Sequence, residues 1–437
     1  MTVRSSPEFN LADLNRLKAF LIGEIGRSFE LNPPPMNDRR NAVIQLIRQI
    51  LEARKVALSQ AILDQVTHDI LDDLLGFGPL QPLLDDPEID EVMVNNKDRV
   101  YIERKGDLVR TNITFENDEQ IMRLIDRIIS PLGRRIDPDS PMVDARLPDG
   151  SRVNAAIPPV AIDGPSITIR KFKKEKLTVD EMVAYGTLTR NMAEFIRACV
   201  VSRLNIIISG GTGSGKTTLL NVLSGFIPTN ERIITIEDAA ELKLQQDHVL
   251  RMESKPSNTD GKNGVTIRDM VRNSLRMRPD RIVVGEVRSG EALDMLQAMN
   301  TGHDGSLTTL HANSPRDAIS RLETLVLMAG VELPVKMIRT QIASAIDLVI
   351  QLSRLKGGDR KVTSITEISG IEGDTVVMTD IFKFEQTGVS PDGKAQGELK
   401  PTGIRPLFTP RLEASGFKLG PEIYGAHLSS MLSQGRR

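Results

Sequence analysis

The sequence predicts a multidomain α/β protein in which a C-terminal α/β domain follows a smaller α+β domain and a short helical module. Three observations support this prediction. The chain has 437 residues, of which 40% are hydrophobic, so it is long enough to bury two or three cores. Apolar residues recur at helical spacing through residues 1–75. From about residue 178 onward, short apolar segments alternate with helical segments, as a parallel sheet requires.

The helical module is predicted to cover residues 1–75. Apolar side chains within residues 11–29 lie on one face of a helix, which the run Asn32–Pro35 ends. A second helical pattern covers residues 38–75 and stops at Gly76, the first residue of a Gly-Phe-Gly-Pro segment.

The α+β domain is predicted to span residues 80–172. Alternating residues predict two strands near its start, one apolar stripe predicts a helix, and two further strands complete the domain. These elements are residues 91–95, 100–103, 121–132, 152–157 and 166–170. Residues 173–178 are then predicted to be a linker, although the basic composition of this stretch is equally typical of a solvated loop.

The α/β domain is predicted to span residues 179–437. Five apolar strands separated by longer segments predict a doubly wound core. These strands are residues 205–208, 233–236, 281–284, 306–310 and 348–352. Residues 361–385 have the pattern of a β-hairpin, and only short ordered pieces are expected in the Gly- and Pro-rich tail after Gln386.

Composition and charge argue against several functions. The formal net charge is −2 and aromatic residues make up 3%, so no surface for nucleic acid is indicated. The single cysteine, Cys199, provides neither a disulfide nor a four-cysteine zinc site, which is consistent with a reducing cytoplasm. The sequence begins without the apolar core of a signal peptide and contains no run of about 18 apolar residues. Any membrane association is therefore expected to be peripheral.

A phosphate-binding motif follows the first predicted strand of the α/β domain. Residues 210–217 fit the P-loop pattern G-x-x-x-x-G-K-[ST], between a strand and a helix. In such a loop, backbone amides surround the β-phosphate, Lys216 reaches the β- and γ-phosphates, and Thr217 offers a hydroxyl to Mg²⁺. A glycine-rich turn that binds nothing is the alternative. The motif predicts binding of ATP and Mg²⁺ by Gly211, Thr212, Gly213, Ser214, Gly215, Lys216, Thr217 and Thr218.

Hydrolysis requires a group that orients water, and two acidic segments offer one. An apolar strand ends at Glu286, in the form of a Walker B element with Gly285 in place of the usual aspartate. Glu286 is the candidate for positioning the water and, with Thr217, for holding Mg²⁺. Glu237 and Glu241 follow another strand and are candidates for binding Mg²⁺ or its waters. Solvated surface carboxylates are the plainer alternative for all three.

Two of the five histidines, His303 and His311, bracket the strand predicted at residues 306–310. They are candidates for sensing the γ-phosphate or for relaying between subunits, although lone structural histidines are common. Zinc binding is a weaker option, because tetrahedral sites usually draw on Cys or on more closely spaced His.

Three arginines near strand ends of the α+β domain, Arg146, Arg152 and Arg170, are candidates for phosphate contact. A guanidinium delivered from another domain or subunit binds phosphate oxygens bidentately and can raise the rate by about a thousandfold or more. Ordinary surface arginines on strands are the alternative.

Residues 76–352 resemble the type II and type IV secretion ATPase superfamily. The four marks of that superfamily, Walker A, Asp box, Walker B and His box, occur here in family order. Residues 76–80, 94–95, 143–159 and 302–313 are most similar to the Flp or tight-adherence (Tad) pilus ATPases of the CpaF or TadA type. The four-cysteine zinc module usual in type II secretion and type IVa extension ATPases is not possible with one cysteine, which favours the Tad, archaellar or type IV secretion branches.

The resemblance implies a RecA-like P-loop NTPase domain preceded by a PAS-like α+β domain. It assigns Glu237 and Glu241 to the Asp box, Glu286 to Walker B, and His303 and His311 to the His box. It also implies that ATP lies between the two domains, with the phosphate-contacting arginines drawn from Arg146, Arg152 and Arg170.

The resemblance further implies a Mg²⁺-dependent motor ATPase that assembles as a homohexamer. Its expected role is to power assembly of a Tad pilus, and whether it also powers retraction is left open by the sequence. The expected partners are inner-membrane platform proteins, which would hold a cytoplasmic protein at the inner membrane; residues 1–75 and 386–437 are candidate contacts. No nucleic acid partner is expected.

Three other functions remain open from the sequence. A type IV secretion ATPase that exports protein or DNA would share nearly all of the core and differ in its partner. A RecA-like helicase would share the P-loop, but the low aromatic content argues against stacking on single strands. A nucleotide-gated scaffold would require Glu286 to be non-catalytic.

Overall fold

The computed structural model describes residues 11–35, 38–104, 106–172, 177–255, 263–390 and 395–425. The chain divides into two compact units, Met1–Lys174 and Glu175–Arg437. Most of the predicted linker, residues 173–176, lies outside the described residues. Both units combine helices with sheets, so the protein has a mixed α/β fold. Within the described ranges, no helix is long and apolar enough to cross a bilayer.

The first unit begins with three helices, α1 (Leu11–Leu31), α2 (Arg39–Ala53) and α3 (Gln60–Leu75). Their apolar faces share one buried core. The single helical pattern predicted over residues 38–75 is wrong, because the helix is interrupted between α2 and α3. Lys55 adopts a left-handed conformation there, and the Ser59 hydroxyl caps α3 by accepting the backbone N–H of Ile62.

A six-stranded sheet follows, in the order β3-β2-β1-β6-β5-β4, and its neighbouring strands run antiparallel. One face packs against the apolar stripe of α5 (Asp118–Ile129), and the opposite face carries polar residues. Between α3 and β1 lies a short helix, α4 (Gln81–Asp85). The strands are β1 (Ile89–Asn96), β2 (Arg99–Arg104), β3 (Asp107–Arg110), β4 (Met142–Arg146), β5 (Arg152–Ala156) and β6 (Ser166–Arg170).

The second unit contains a nine-stranded sheet in the order β15-β14-β13-β12-β7-β11-β10-β8-β9. Strands β12, β7, β11, β10, β8 and β9 are parallel neighbours, whereas β12 to β15 pair antiparallel. The five predicted strands are present, and β9, an edge strand, was not predicted. The strands are β7 (Ile206–Gly210), β8 (Ile233–Glu237), β9 (Val249–Glu253), β10 (Arg281–Val287), β11 (Leu307–Leu310), β12 (Leu348–Arg354), β13 (Arg360–Glu372), β14 (Thr375–Val389) and β15 (Ala395–Pro401).

Helices cover both faces of the parallel strands. Ile206 and Ile208 of β7 point into one core with α7 and α8, while Ile207 points into another with α9 to α12. A strand buried on both faces is apolar throughout, which explains the run of three isoleucines. The helices of this unit are α6 (Val179–Ala184), α7 (Arg190–Val201), α8 (Lys216–Ser224), α9 (Ile267–Ser274), α10 (Glu291–Asn300), α11 (Pro315–Leu327), α12 (Val335–Ala345) and α13 (Thr409–Ala414).

The C-terminal part contributes to the core of the second unit. The hairpin predicted at residues 361–385 is confirmed as β13 and β14. In the tail, Phe408 and Tyr424 pack with Phe382 around buried Phe195, at ring-centroid distances of 6.2, 6.1 and 5.4 Å from Phe195. The tail is therefore more integral to the fold than its composition indicates. Residues 426–437 lie outside the described part of the chain.

Candidate functional site

The P-loop connects the buried end of β7 to the first turn of α8. An ideal Cβ on Gly210 would lie 2.5 Å from Ser214 Oγ and 2.6 Å from the carbonyl oxygen of Leu352, so this position requires glycine. Gly213 and Gly215 have φ angles of 68° and 97°, which other residues rarely adopt. The three glycines thus form a cradle that side chains would fill or distort, as close approach of a phosphate to backbone amides requires.

The polar side chains of the motif line this cradle. Ser214 Oγ and Lys216 Nζ donate to the carbonyl oxygen of Gly211, at 2.8 and 3.0 Å. Partial burial lowers the pKa of Lys216, and Arg288 acts in the same direction, whereas the charge of Glu286 opposes the shift. Thr217 is half-buried in the first turn of α8; Thr212 in the loop and Thr218 in that turn are exposed.

Glu286 lies near the carboxyl end of β10, two strands from β7 in the same parallel sheet. Its side chain is 25% exposed, so it remains accessible to a ligand. Arg288, which the sequence analysis did not single out, donates from Nε and Nη2 to Glu286 Oε2 at 2.9 and 2.6 Å. Arg288 Nη1 also lies 3.5 Å from Asp238 Oδ2. Arg288 therefore connects the Walker B strand to the Asp box.

Glu237 is buried at the end of β8, only 3% exposed. Its Oε2 accepts the backbone N–H groups of Glu241 and Leu242 at 2.7 and 3.0 Å. Burial raises the pKa of Glu237, and these two hydrogen bonds partly offset the shift. The carboxylate thus holds the 237–242 loop closed, and half-buried Glu241 contributes its backbone N–H to that closure.

The packing of Glu237 explains the glycine in the Walker B element. An ideal Cβ on Gly285 would lie 2.9 Å from Glu237 Cγ. The Glu237 side chain therefore occupies the space that an aspartate at position 285 would need. Thr309 of β11 fixes the same segment by donating its hydroxyl to the Gly285 carbonyl oxygen at 2.7 Å.

The two predicted histidines lie at opposite ends of β11. His311 follows the carboxyl end of the strand, on the edge of the sheet where β7 leads into the P-loop, and its side chain is exposed. His303 precedes the amino end of β11. The strand has four residues, so its two ends, and the sheet edges at which they lie, are about 13 Å apart. The structure thus brings His311, and not His303, to the P-loop edge.

The three predicted arginines form a row across the first unit's sheet. Arg146 of β4 is the register partner of Arg152 of β5, which is the partner of Arg170 of β6. Cross-strand partners project from the same face, here the one opposite the α5 core. On the far side of Arg170 the row continues with Glu91 of β1. Three guanidinium groups on adjacent strands form a concentrated positive charge at one end of this sheet.

A second residue that the sequence analysis missed is Arg360, at the start of β13. Its Nε donates to the carbonyl oxygen of Gly213 in the P-loop at 2.9 Å. No local motif marks Arg360, because it lies 147 positions from Gly213 in the sequence. Only the pairing of β13 with β12, and of β12 with β7, places it there.

The site combines a cradle of glycines at a helix N-terminus with an accessible carboxylate at the same edge of the sheet. This combination defines the class of protein. The protein is a nucleotide-binding protein of the P-loop class. In a structure of this class, the donors that suit Mg²⁺ are the Thr217 hydroxyl and the Glu286 carboxylate.

Comparison with known proteins identifies the family. The type II/IV secretion system protein family matches residues 73–380. A putative conjugal transfer protein of Mycobacterium tuberculosis (strain CDC 1551 / Oshkosh) is 34% identical over 333 residues, covering 75% of this chain and 94% of that protein. The conjugal transfer protein TrbB of Rhizobium radiobacter is 34% identical over 305 residues, covering 69% and 90%.

Among solved structures, the VirB11 ATPase from the Brucella suis type IV secretion system, in complex with sulphate, is 30% identical. The match covers 66% of this chain and 94% of that chain, with a TM-score of 0.36. The chain belongs to the type II/IV secretion system protein family.

Proposed function

We propose that the second unit is a RecA-like domain that hydrolyses ATP with Glu286 as the residue that orients water. The observation that carries this proposal is the position of Glu286 near the carboxyl end of β10, on the edge of the parallel sheet where β7 leads into the P-loop. In keeping with this position, the charge of Glu286 opposes the fall in the pKa of Lys216. Lys216 and the amides of residues 211–215 would bind the phosphates. Thr218, in the first turn of α8, would also contribute to nucleotide binding. Glu286 would hold a water in line with the γ-phosphate.

Thr217 and Glu286 would hold Mg²⁺, directly or through water. When bound, the ion neutralises charge on the β- and γ-phosphates. Glu237 and Glu241 were also candidates for this role. We instead assign them to loop closure, because Glu237 is buried and already accepts two backbone N–H groups. His311 would sense the γ-phosphate, since it is the histidine at the P-loop edge.

Arg146, Arg152 and Arg170 would contact the γ-phosphate from the first unit, which we propose to be PAS-like, of the same or a neighbouring subunit. Their alignment supports this role, because it places three guanidinium groups side by side on one face of the sheet, and guanidinium groups bind phosphate oxygens bidentately.

We further propose that the protein is the cytoplasmic motor of a Tad pilus. It would act as a homohexamer held at the inner membrane by platform proteins, without binding nucleic acid. The sequence similarity to Tad ATPases supports this role. A type IV secretion ATPase is the second candidate, because two relatives carry the name conjugal transfer protein.

The test is steady-state ATPase activity of the wild type beside Glu286→Gln and Lys216→Ala, with mass measured by light scattering. We expect Glu286→Gln to bind ATP without hydrolysing it and Lys216→Ala to lose binding. Binding without turnover by the wild-type hexamer would favour a scaffold. Deletion of the gene then separates the two cellular roles, since loss of pili indicates the first and loss of export with intact pili the second.

A further inference from the structure

Arg360 contacts the P-loop at Gly213. Its Nε donates to the Gly213 carbonyl oxygen at 2.9 Å, and its Cδ lies 3.4 Å from the ideal Cβ position of Gly215. Both glycines have positive φ angles. A peptide next to glycine rotates more freely than others, so an external hydrogen bond has most effect there.

The strand pairing fixes Arg360 in this place. β12 pairs in parallel with β7, so Leu352 is the register partner of Gly210, the residue before the loop. β13 returns antiparallel to β12, with Arg360 opposite Arg354. The turn between them is closed by a 2.7 Å hydrogen bond from the Leu355 N–H to the Asp359 carbonyl oxygen. The β12–β13 hairpin therefore presents Arg360 to the loop.

The bond to Gly213 also determines where the next amide points. A trans peptide is planar, so its C=O and its N–H point in opposite directions. When Arg360 holds the Gly213 carbonyl on one side, the Ser214 N–H faces the other side. That N–H makes only a long contact of 3.4 Å with the Gly211 carbonyl oxygen, so it retains capacity to bind an anion.

We infer that Arg360 is a positioning residue for phosphate binding, which rests on the proposed function of the P-loop. It orients the 213–214 peptide so that the Ser214 amide faces the phosphates of a nucleoside di- or triphosphate. The role differs from that of the three arginines of the first unit, because Arg360 belongs to the second unit and acts through the loop backbone. Its effect is on nucleotide binding and not on the rate of the bound complex.

The test compares Arg360→Ala, Arg360→Lys and Arg354→Ala in the full-length protein. Arg354→Ala is the matched control, because it removes the same charge from the partner position on β12, where the side chain is exposed. Calorimetry with Mg-ADP and with inorganic pyrophosphate measures the dissociation constant, and steady-state kinetics separate KM from kcat. Circular dichroism confirms that each variant is folded; Arg360→Lys, which keeps the charge and the alkyl stem, provides a second variant.

We expect Arg360→Ala to weaken binding of both ADP and pyrophosphate about tenfold, equivalent to about 1.4 kcal/mol. KM for ATP should rise in parallel while kcat stays within about twofold, because positioning by a loop residue affects ground and transition states equally. Arg360→Lys should recover part of the loss and Arg354→Ala should show none.

Several results would overturn the inference. An unchanged dissociation constant in Arg360→Ala, or an equal loss in Arg354→Ala, would mean that loop orientation does not depend on Arg360. A loss with ADP but not with pyrophosphate would mean that Arg360 contacts the base or ribose instead. If the wild type bound neither ADP nor pyrophosphate, the proposed function itself would fail, and this outcome is distinct from the others.

Discussion

The contact between Gly285 and Glu237 allows a quantitative test of how the Walker B strand and the Asp box fit together. In Gly285→Ala, the new Cβ would lie 2.9 Å from Glu237 Cγ, closer than side-chain atoms normally approach. Relief requires Glu237 to move by several tenths of an ångström. Glu237 is not free to do so, because its carboxylate accepts the N–H groups of Glu241 and Leu242.

The expected cost follows from those bonds. Hydrogen bonds to a charged group contribute about 1.5–3 kcal/mol each. We expect the shift to lose one of them, offset in part by the lower unfolded-state entropy of alanine, about 0.4–1 kcal/mol. The free energy of unfolding of Gly285→Ala should therefore fall by about 1–2 kcal/mol. ATPase activity should fall as well, because the displaced loop and Glu286 share this edge of the sheet.

Urea unfolding followed by circular dichroism measures this change, with Gly211→Ala as the stability control. An ideal Cβ on Gly211 meets no atom within 4 Å, so that variant should be at least as stable as the wild type. A Gly285→Ala protein with wild-type stability would refute the packing argument. An equal loss in both variants would show that the effect is general to glycine replacement at this edge.

Three further predictions concern single side chains. Because burial raises the pKa of Glu237 above 4.5, the folded state binds its proton more tightly, and this stabilisation is lost as pH rises through the folded-state pKa. At about pH 8 Glu237→Gln should then be at least as stable as the wild type, and near about pH 4 any gain in its free energy of unfolding should be lost, as measured by urea unfolding. A gain in stability that grows as the pH falls would contradict this expectation. His311→Ala should lower kcat about tenfold or more and His303→Ala less than about twofold, since only His311 lies at the P-loop edge; equal effects in steady-state assays would reject this division. Arg288→Ala should lower kcat about tenfold with little change in KM, because Glu286 loses the group that orients it, and Arg288→Lys should restore part of the rate; a changed KM with normal kcat would refute this role.

Much of the fold was predictable because the relevant signals are local. The buried strands are rich in apolar residues, as in the three isoleucines of β7, and a strand buried on both faces has that composition. β9 was missed because it is an edge strand with half-exposed residues, so its pattern is weak. The break between α2 and α3 was missed because residues 54–59 contain neither Gly nor Pro, and the turn instead depends on a left-handed Lys55.

In the candidate site, too, some residues have a local sequence signal and others depend on the fold. The P-loop and the Walker B strand are each a single continuous segment of the sequence, so the sequence alone is enough to name their residues. The roles of Arg360 and of Gly285 depend on which strands are neighbours, and strand order is not written in any one segment. The separation of His303 from His311 needed only the direction of β11, which the alternation of strands and helices already indicated.

The aromatic cluster around Phe195 has a consequence for biosynthesis. Translation proceeds from the N-terminus, so the first unit can complete its core while the second is still being made. Phe195, by contrast, must wait for Phe382, Phe408 and Tyr424, which emerge long after it. Every residue that we assign to catalysis is synthesised before this core can close. Part of the apolar core of the second unit therefore stays uncovered until these later residues have been synthesised.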